Sequence, residues 1–301
     1  MSDKPDLSII IVSYNTRDML RDAISAVPAA MGPFTFDIWV VDNHSTDGSG
    51  DMVRNEFPAV TLIENPNNPG FAAANNQAIA MCSGRFVLLL NPDTEAEPYS
   101  LAKLVEYCGH HPDVGAIGPM LLNTDGSLQI NGGNFPSPIR EILHYSGIQR
   151  LLPNKAMERY RFGRTDFDVT TEVDQVSGAC IMVPSEVITK VGPLDDGFFM
   201  FFEEVEWCWR IKKAGYRVVY LAQSRVVHHW MGSVRSNYRA MERELNRSRR
   251  RYYRKTGGLV TRFGAAISST VAAARAEFFT IGSRVKRAIR KASTTAGKEN
   301  R

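Results

Sequence analysis

Four short, largely apolar runs, Leu7–Val12, Phe36–Val41, Val60–Ile63 and Phe86–Leu90, punctuate the first third of the chain. Leu7–Val12 is apolar apart from Ser8 and rich in β-branched residues. That pattern suits a strand buried on both faces, as in a parallel sheet covered by helices. The segments between the runs carry helical signals. Thr16 stands where it can cap a helix in which Leu20, Ala23, Ile24 and Val27 recur at helical spacing. A second helix is expected from about Asp47 to Phe57, with Ser45 or Thr46 as its cap, and a third over Ala72–Cys82, ended by Gly84. Repeated β-α units predict an α/β fold with a mostly parallel, Rossmann-like sheet flanked by helices.

The rest is less regular. Asn123–Gly126 reads as a turn between two short strands and Gly132–Pro138 as a loop, followed by a basic, mixed stretch over Ile139–Asp168. Order returns at Val173–Val183. A helix is expected over Phe199–Ala214, ended by Gly215, then strands at Arg217–Leu221 and Arg225–His228. From about Ser236 the chain reads as a basic amphipathic helix. Charge divides the same way: residues 1–238 hold 19 Lys+Arg against 28 Asp+Glu, and residues 239–301 hold 17 against 4. A basic tail on an acidic body points to an anionic partner for the tail.

At 301 residues and 44% hydrophobic, the chain suffices for one large domain with an appendage. No apolar run reaches 18 residues and the N-terminus lacks a secretory pattern, so a cytoplasmic protein is expected. Cys82, Cys108, Cys180 and Cys208 form no CxxC pair and read as buried, reduced thiols.

Ligands of an open parallel sheet bind beyond the carboxyl ends of its strands. Ser13, Tyr14 and Asn15 follow the first strand; Asp42, Asn43 and Asp47 follow the second; Asn91 and Asp93 follow the fourth. Each set alone is ordinary turn chemistry; three at one edge are not. Neither GxGxxG nor GxxxxGK[ST] occurs, so a bound diphosphate needs another partner. A divalent cation on a carboxylate supplies one, and Asp93 is placed for it. Glu203, Glu204 and Glu206 crowd one helical turn, which costs stability without a purpose. Arg210 can pair with Glu206 four residues away. Glu203 and Glu204 have no such partner, and Trp207 makes their face apolar, which raises a carboxyl pKa and suits a general base. His228 or His229 is a candidate metal ligand, or a structural histidine at a strand end.

Taken in order, SIIIVSYN, VVDNHSTDGS, NNPGFAAANNQAI, LLLNPDTE, VSGACIMV, FFMFFEEVEWCWRIKKAGY and VVHHWMGSV resemble family 2 glycosyltransferases of the GT-A fold, most closely a bacterial rhamnosyltransferase-like branch. The resemblance covers about residues 7–235. It implies a catalytic domain over 1–238, with a nucleotide-sugar half (about 1–120) and an acceptor half (121–238), and a basic helical tail over 239–301. It implies that Asp42 bonds the nucleotide base and that Tyr14 packs on the nucleotide. Ser13, Asn15, Asn43, Asp47, Asn76 and Asn91 fall in the nucleotide-sugar segments. Asp93 matches the metal ligand that closes the DxD-type motif, whose first position is Asn91 here. Glu203 and Glu204 match the acidic pair, with Glu204 as catalytic base. His228 matches the metal-contacting histidine by its spacing to Gly232 and Ser233, with His229 beside it.

The implied reaction is a single inverting displacement of a nucleoside diphosphate, aided by Mg²⁺ or Mn²⁺, onto a glycan or lipid-linked acceptor. dTDP-rhamnose is the first donor to consider and UDP-hexoses the next. The tail clusters arginines with tyrosines, RELNRSRRRYYRKTGG. It suits either the anionic inner face of a membrane or packing on the catalytic domain. A nucleotidyltransferase would carry a glycine-rich basic loop where SYNTRD stands. No nucleic-acid motif appears, so nucleic acid is not an expected partner. A degenerate sugar-nucleotide binder is opposed by Asp42, Asp93 and Glu204 all being present.

Overall fold

The computed structural model describes residues 4–139, 141, 166–229 and 238–257. Its centre is β1 (Leu7–Ser13), buried along all seven residues. Parallel strands β2 (Phe36–Asp42) and β4 (Phe86–Leu90) flank it, with Leu7 opposite both Phe36 and Phe86. β3 (Thr61–Glu64) lies at the edge, which its polar ends allow. The alternation of β1 divides the core. Ile9 and Ile11 pack with Leu20, Ile24 and Val27 of α1 (Arg17–Met31). Ile10 and Val12 pack on the other face with Ala72, Ala74 and Ala78 of α3 (Phe71–Ile79). The short helix α2 (Ser49–Glu56) joins β2 to β3.

Beyond β4 come β5 (Thr94–Ala96), α4 (Ser100–His110), β6 (Val114–Leu122), β7 (Leu128–Gln129), β8 (Thr171–Val173), β9 (Cys180–Pro184), α5 (Ser185–Val191), α6 (Glu203–Lys213), β10 (Arg217–His228) and α7 (Tyr238–Thr256). The main sheet runs β3-β2-β1-β4-β9-β6-β10-β5. β3, β2, β1, β4, β6 and β10 share one direction, so the sheet is mostly parallel, as expected; β5 pairs antiparallel at the far end, and β9 enters antiparallel between β4 and β6. The cause is local: β9 starts beside the carboxyl end of β4, Leu90 opposite Cys180, and no crossover helix turns it round. β6 and β10 then run parallel to each other, bringing Leu122 and His228 to the same edge.

Three expected boundaries shift. The strands at 217–221 and 225–228 are one strand with an irregularity between Leu221 and Arg225, where buried Ser224 donates to the Ser100 carbonyl (2.8 Å). α6 starts at Glu203 rather than 199, because Phe201 and Phe202 take left-handed conformations, φ 70° each. α3 stops near Ala80, short of Gly84. The described part of the basic tail is not a free appendage: Ser248, Arg249, Tyr252 and Tyr253 of α7 are buried. Residues 258–301, nearly all of the 139–168 stretch, and Gly232 and Ser233 lie outside the described residues. All four cysteines are free thiols; Cys108, Cys180 and Cys208 are buried.

Gly70 shows how tightly the halves meet. Its φ is +94°, and a Cβ there would run into the Phe199 carbonyl oxygen, while the next amide, Phe71 N–H, donates to that same oxygen (2.7 Å). Gly126 also has positive φ (+79°) but open space around it. In urea unfolding, Gly70→Ala is expected to cost about 3 kcal/mol or more, through strain plus clash. Gly126→Ala should cost only about 1–2 kcal/mol.

Candidate active site

The loops after β1 and β2 lock each other. Ser13 and Thr16 pair through their hydroxyls (2.9 Å), so Thr16 makes no side-chain cap. The Arg17 N–H at the start of α1 instead donates to Asp47 Oδ2 (2.8 Å), and Asp47 Oδ1 accepts the Ser49 N–H of α2 (3.0 Å). Asp47, not Ser45 or Thr46, therefore serves both helix starts. Burial pushes its carboxyl up, but the Ser49 hydroxyl and the backbone N–H groups outweigh this and hold it below the usual range. Asn15, with φ 55°, accepts the Thr46 N–H (2.8 Å). Asn43 is buried; it accepts from Asn65 (2.9 Å) and donates to Asn68 (3.2 Å). Asn76 grips both backbone groups of Leu194, at 2.8 and 3.1 Å. These four polar side chains are engaged with the scaffold itself.

Asp42 differs. It is 5% exposed; Oδ2 accepts the Ser45 N–H (2.9 Å), and Oδ1 is buried with no partner. An unsatisfied buried acceptor costs about 1–3 kcal/mol until a donor reaches it. Tyr14, 51% exposed, stands at the same edge.

The second group gathers where β4, β5 and β10 end. Antiparallel pairing sets Thr94 opposite His228, bringing His228 Nε2 within 3.3 Å of Asp93 Oδ1. His229 turns away: its backbone N–H bonds the Asp93 carbonyl (2.9 Å) and its ring meets Glu95 (2.6 Å). Of the two rings, it is that of His228 that faces Asp93. Gln129 Oε1 lies 2.6 Å from His228 Nδ1, and its amide nitrogen donates to Asn123 Oδ1 (3.1 Å). That orientation places the imidazole proton on Nδ1. His228 Nε2 and the Asp93 carboxylate face each other at the sheet edge, and together they would hold a divalent cation. Among the described residues no group of three or more His, Cys, Asp or Glu side chains is arranged to hold a metal ion. The pair would therefore hold an ion with further oxygens from a ligand or water. Asn91 adjoins the pair, its N–H bonded to the Ala179 carbonyl (2.9 Å).

The third group opens α6. Glu206 is fully buried and pairs with Arg210 (2.9 Å), as its spacing predicts, and with Lys255 of α7 (2.8 Å). Glu203 is 5% exposed and Glu204 half-buried; each keeps one buried carboxylate oxygen, Oε2, without a partner. Burial, then the neighbouring Glu204 charge, pushes the Glu203 carboxyl well above its usual range. Burial also raises Glu204, against the pull of nearby backbone N–H groups including that of Gly178. Gly178 lies against Glu204, where a Cβ would meet its side chain at 3.5 Å. Trp207 is buried beneath, its indole N–H on the Gly192 carbonyl (2.9 Å). Phe201 and Phe202, left-handed without being glycine, cost about 1–2 kcal/mol each. Gln129 and Lys255 carry no sequence signal for these roles. Gly178 had one, in VSGAC.

The chain belongs to glycosyl transferase family 2, whose model matches residues 8–173. That stretch holds Asp42 and Asp93 and ends before Glu203, Glu204 and His228. Over 235 residues the chain is 28% identical to N-acetylglucosaminyl-diphospho-decaprenol L-rhamnosyltransferase of Mycobacterium tuberculosis, covering 74% of this chain and 76% of that one. It is 27% identical to the low-salt glycan biosynthesis hexosyltransferase Agl10 of Haloferax volcanii, over 69% of this chain and 62% of that one. The fold matches a Pyrobaculum calidifontis mannosyltransferase solved with GDP-Man and Mn²⁺ (TM-score 0.57, 17% identity, 94% of this chain, 81% of that one). It also matches GalNAc-T7 solved with UDP, GalNAc and Mn²⁺ (TM-score 0.56, 16% identity, 76% of this chain, 44% of that one). The architecture is GT-A, and the protein is a rhamnosyltransferase-like glycosyltransferase.

A Glu203 carboxyl raised on folding binds protons that the unfolded chain releases above the ordinary value of 4.5. Stability is therefore present below that pH and declines as pH rises towards the folded value. Glu203→Gln should flatten the decline: its melting temperature should overtake wild type between pH 5 and 8 and match it near pH 4. Parallel curves would remove the burial argument.

Proposed function

We propose that the protein is an inverting hexosyl- or deoxyhexosyltransferase, with Glu204 as the base that activates an acceptor hydroxyl. The observation that carries this reading is the Glu203–Glu204 pair, with two buried carboxylate oxygens lacking partners, on the sheet edge that also holds Asp42 and the Asp93–His228 pair. Glu204 takes the hydroxyl proton. The oxygen attacks the anomeric carbon from the face opposite the diphosphate, the new C–O bond forms, and the old bond's electron pair leaves with the diphosphate. Asp42 Oδ1 accepts a donor N–H from the base of the nucleotide. A Mg²⁺ or Mn²⁺ ion held by Asp93 and His228 would offset charge on the departing group.

Likeness to an L-rhamnosyltransferase supports dTDP-rhamnose as donor, with UDP-hexoses next, and a diphospholipid-linked glycan of cell-envelope polysaccharide synthesis as acceptor. Such an acceptor lies in a membrane. Among the described residues no helix is long and apolar enough to cross one. α7 does present Arg243, Arg247, Arg250 and Arg254 to solvent on one face. This stripe supports peripheral contact with an anionic inner leaflet, each cation adding about 1 kcal/mol near the surface.

Glu204→Gln should lower turnover by about 10²–10⁴-fold while keeping the Mn²⁺-dependent thermal shift given by dTDP or UDP. Near-normal turnover would sink the assignment. In sedimentation with phosphatidylglycerol vesicles at low salt, the full chain should pellet. The quadruple Arg→Gln variant of 243, 247, 250 and 254 should pellet less, and phosphatidylcholine should retain neither. Equal pelleting of both chains on phosphatidylglycerol would remove the stripe from the account.

A further inference from the structure

Resting on Glu204 as the base, we propose that α7 is a positioning element for the acid pair, acting through Ser248, Arg251 and Lys255 on the chain at either side of Glu203–Glu204. Upstream, buried Ser248 donates its hydroxyl to the Met200 carbonyl (2.8 Å). The next two residues are Phe201 and Phe202, the left-handed pair that turns the chain into α6. Neither is glycine, so nothing intrinsic favours that conformation; outside contacts have to hold it. The Phe202 ring packs on Tyr252 of α7, centroids 5.5 Å apart. Arg251 forks onto Asp195 at 3.1 and 2.6 Å and lies over the Phe198 ring at 5.3 Å. Downstream, Lys255 bridges Asp195 (2.6 Å) and Glu206 (2.8 Å), tying the loop before the pair to the helix turn after it.

The arrangement is a clamp. Asp195, Met200 and Phe202 precede the two glutamates, Glu206 follows, and one rigid helix holds all four. Tyr252 and Tyr253 anchor the clamp at 2% exposure each, in an apolar cluster with Phe198 and Val205. α7 also brings a charge: Glu244 raises the proton affinity of Glu203. The helix first read as a basic tail thus completes the catalytic turn. None of Ser248, Arg251 and Lys255 is assigned contact with a substrate.

The test compares full-length wild type, Ser248→Ala/Arg251→Gln and Arg251→Lys. Donors are dTDP-rhamnose and UDP-glucose, the acceptor is polyprenyl-diphospho-N-acetylglucosamine, and hydrogen exchange is followed by peptide. The double variant should lose about 10–100-fold in kcat, since misplacement by an ångström costs on that order, with donor KM within about twofold. Residues 199–206 should exchange faster while β1 and β4 stay protected. Arg251→Lys, which keeps the Ser248 bond and a cation at Asp195 but not the fork, should lose less than the double variant. Unchanged kcat with unchanged exchange at 199–206 overturns the inference. So does a loss of kcat accompanied by faster exchange throughout β1 and β4, which marks general destabilisation. A wild type inactive with both donors counts instead against the transfer reading; the exchange pattern then still decides whether α7 holds the loop.

Discussion

One backbone hydrogen bond, Asn91 N–H to the Ala179 carbonyl at 2.9 Å, marks where β4 ends and β9 begins. Because β9 runs antiparallel there, the loop holding Ser177 and Gly178 leads into the carboxyl end of β4 at Asn91 without a crossover. Everything chemical follows from that junction. Gly178 backs Glu204, and Asn131, buried, ties the loop to β6 by accepting the Ser177 N–H (2.7 Å) and donating to Pro119 (2.6 Å). A crossover helix at this point would have sent the loop to the opposite edge of the sheet.

Three glutamates in one helical turn receive two different environments. Glu206 meets Arg210 and Lys255; Glu203 and Glu204 meet apolar walls and each other. Glu206 is thereby tied to cations of the scaffold, whereas Glu203 and Glu204 each keep Oε2 buried without a partner. Sequence alone separates Glu206 by its i,i+4 arginine but cannot supply Lys255, which lies 49 positions away.

What was legible follows burial and local spacing. β1 and β4 are read within a residue because both faces are apolar. Asp42 and Asp93 stand just at or beyond strand ends, which are easy to count. That the His228 ring faces Asp93 while the His229 ring faces Glu95 depends on the β5–β10 register, a pairing across more than a hundred residues. The run before Glu203 misleads: its phenylalanines fit a helical pattern, and only tertiary contacts hold Phe201 and Phe202 left-handed. Asn43 and Asn76 have ligand-like chemistry, yet their amides brace neighbouring loops. α4 lies outside the sequence reading although Leu101, Leu104, Val105 and Cys108 recur at helical spacing.

The last strand carries a consequence for synthesis. β10 pairs with β6, β5 and β8, strands made as many as 134 residues earlier (His228 opposite Thr94). A nascent chain can close β1–β4 early, since those contacts are comparatively local. The sheet beyond β6 must wait for residues 217–228 to clear the ribosome. Until then β6 exposes an unpaired apolar edge, so the β1–β4 half gains its shape well before Asp93 and His228 can meet.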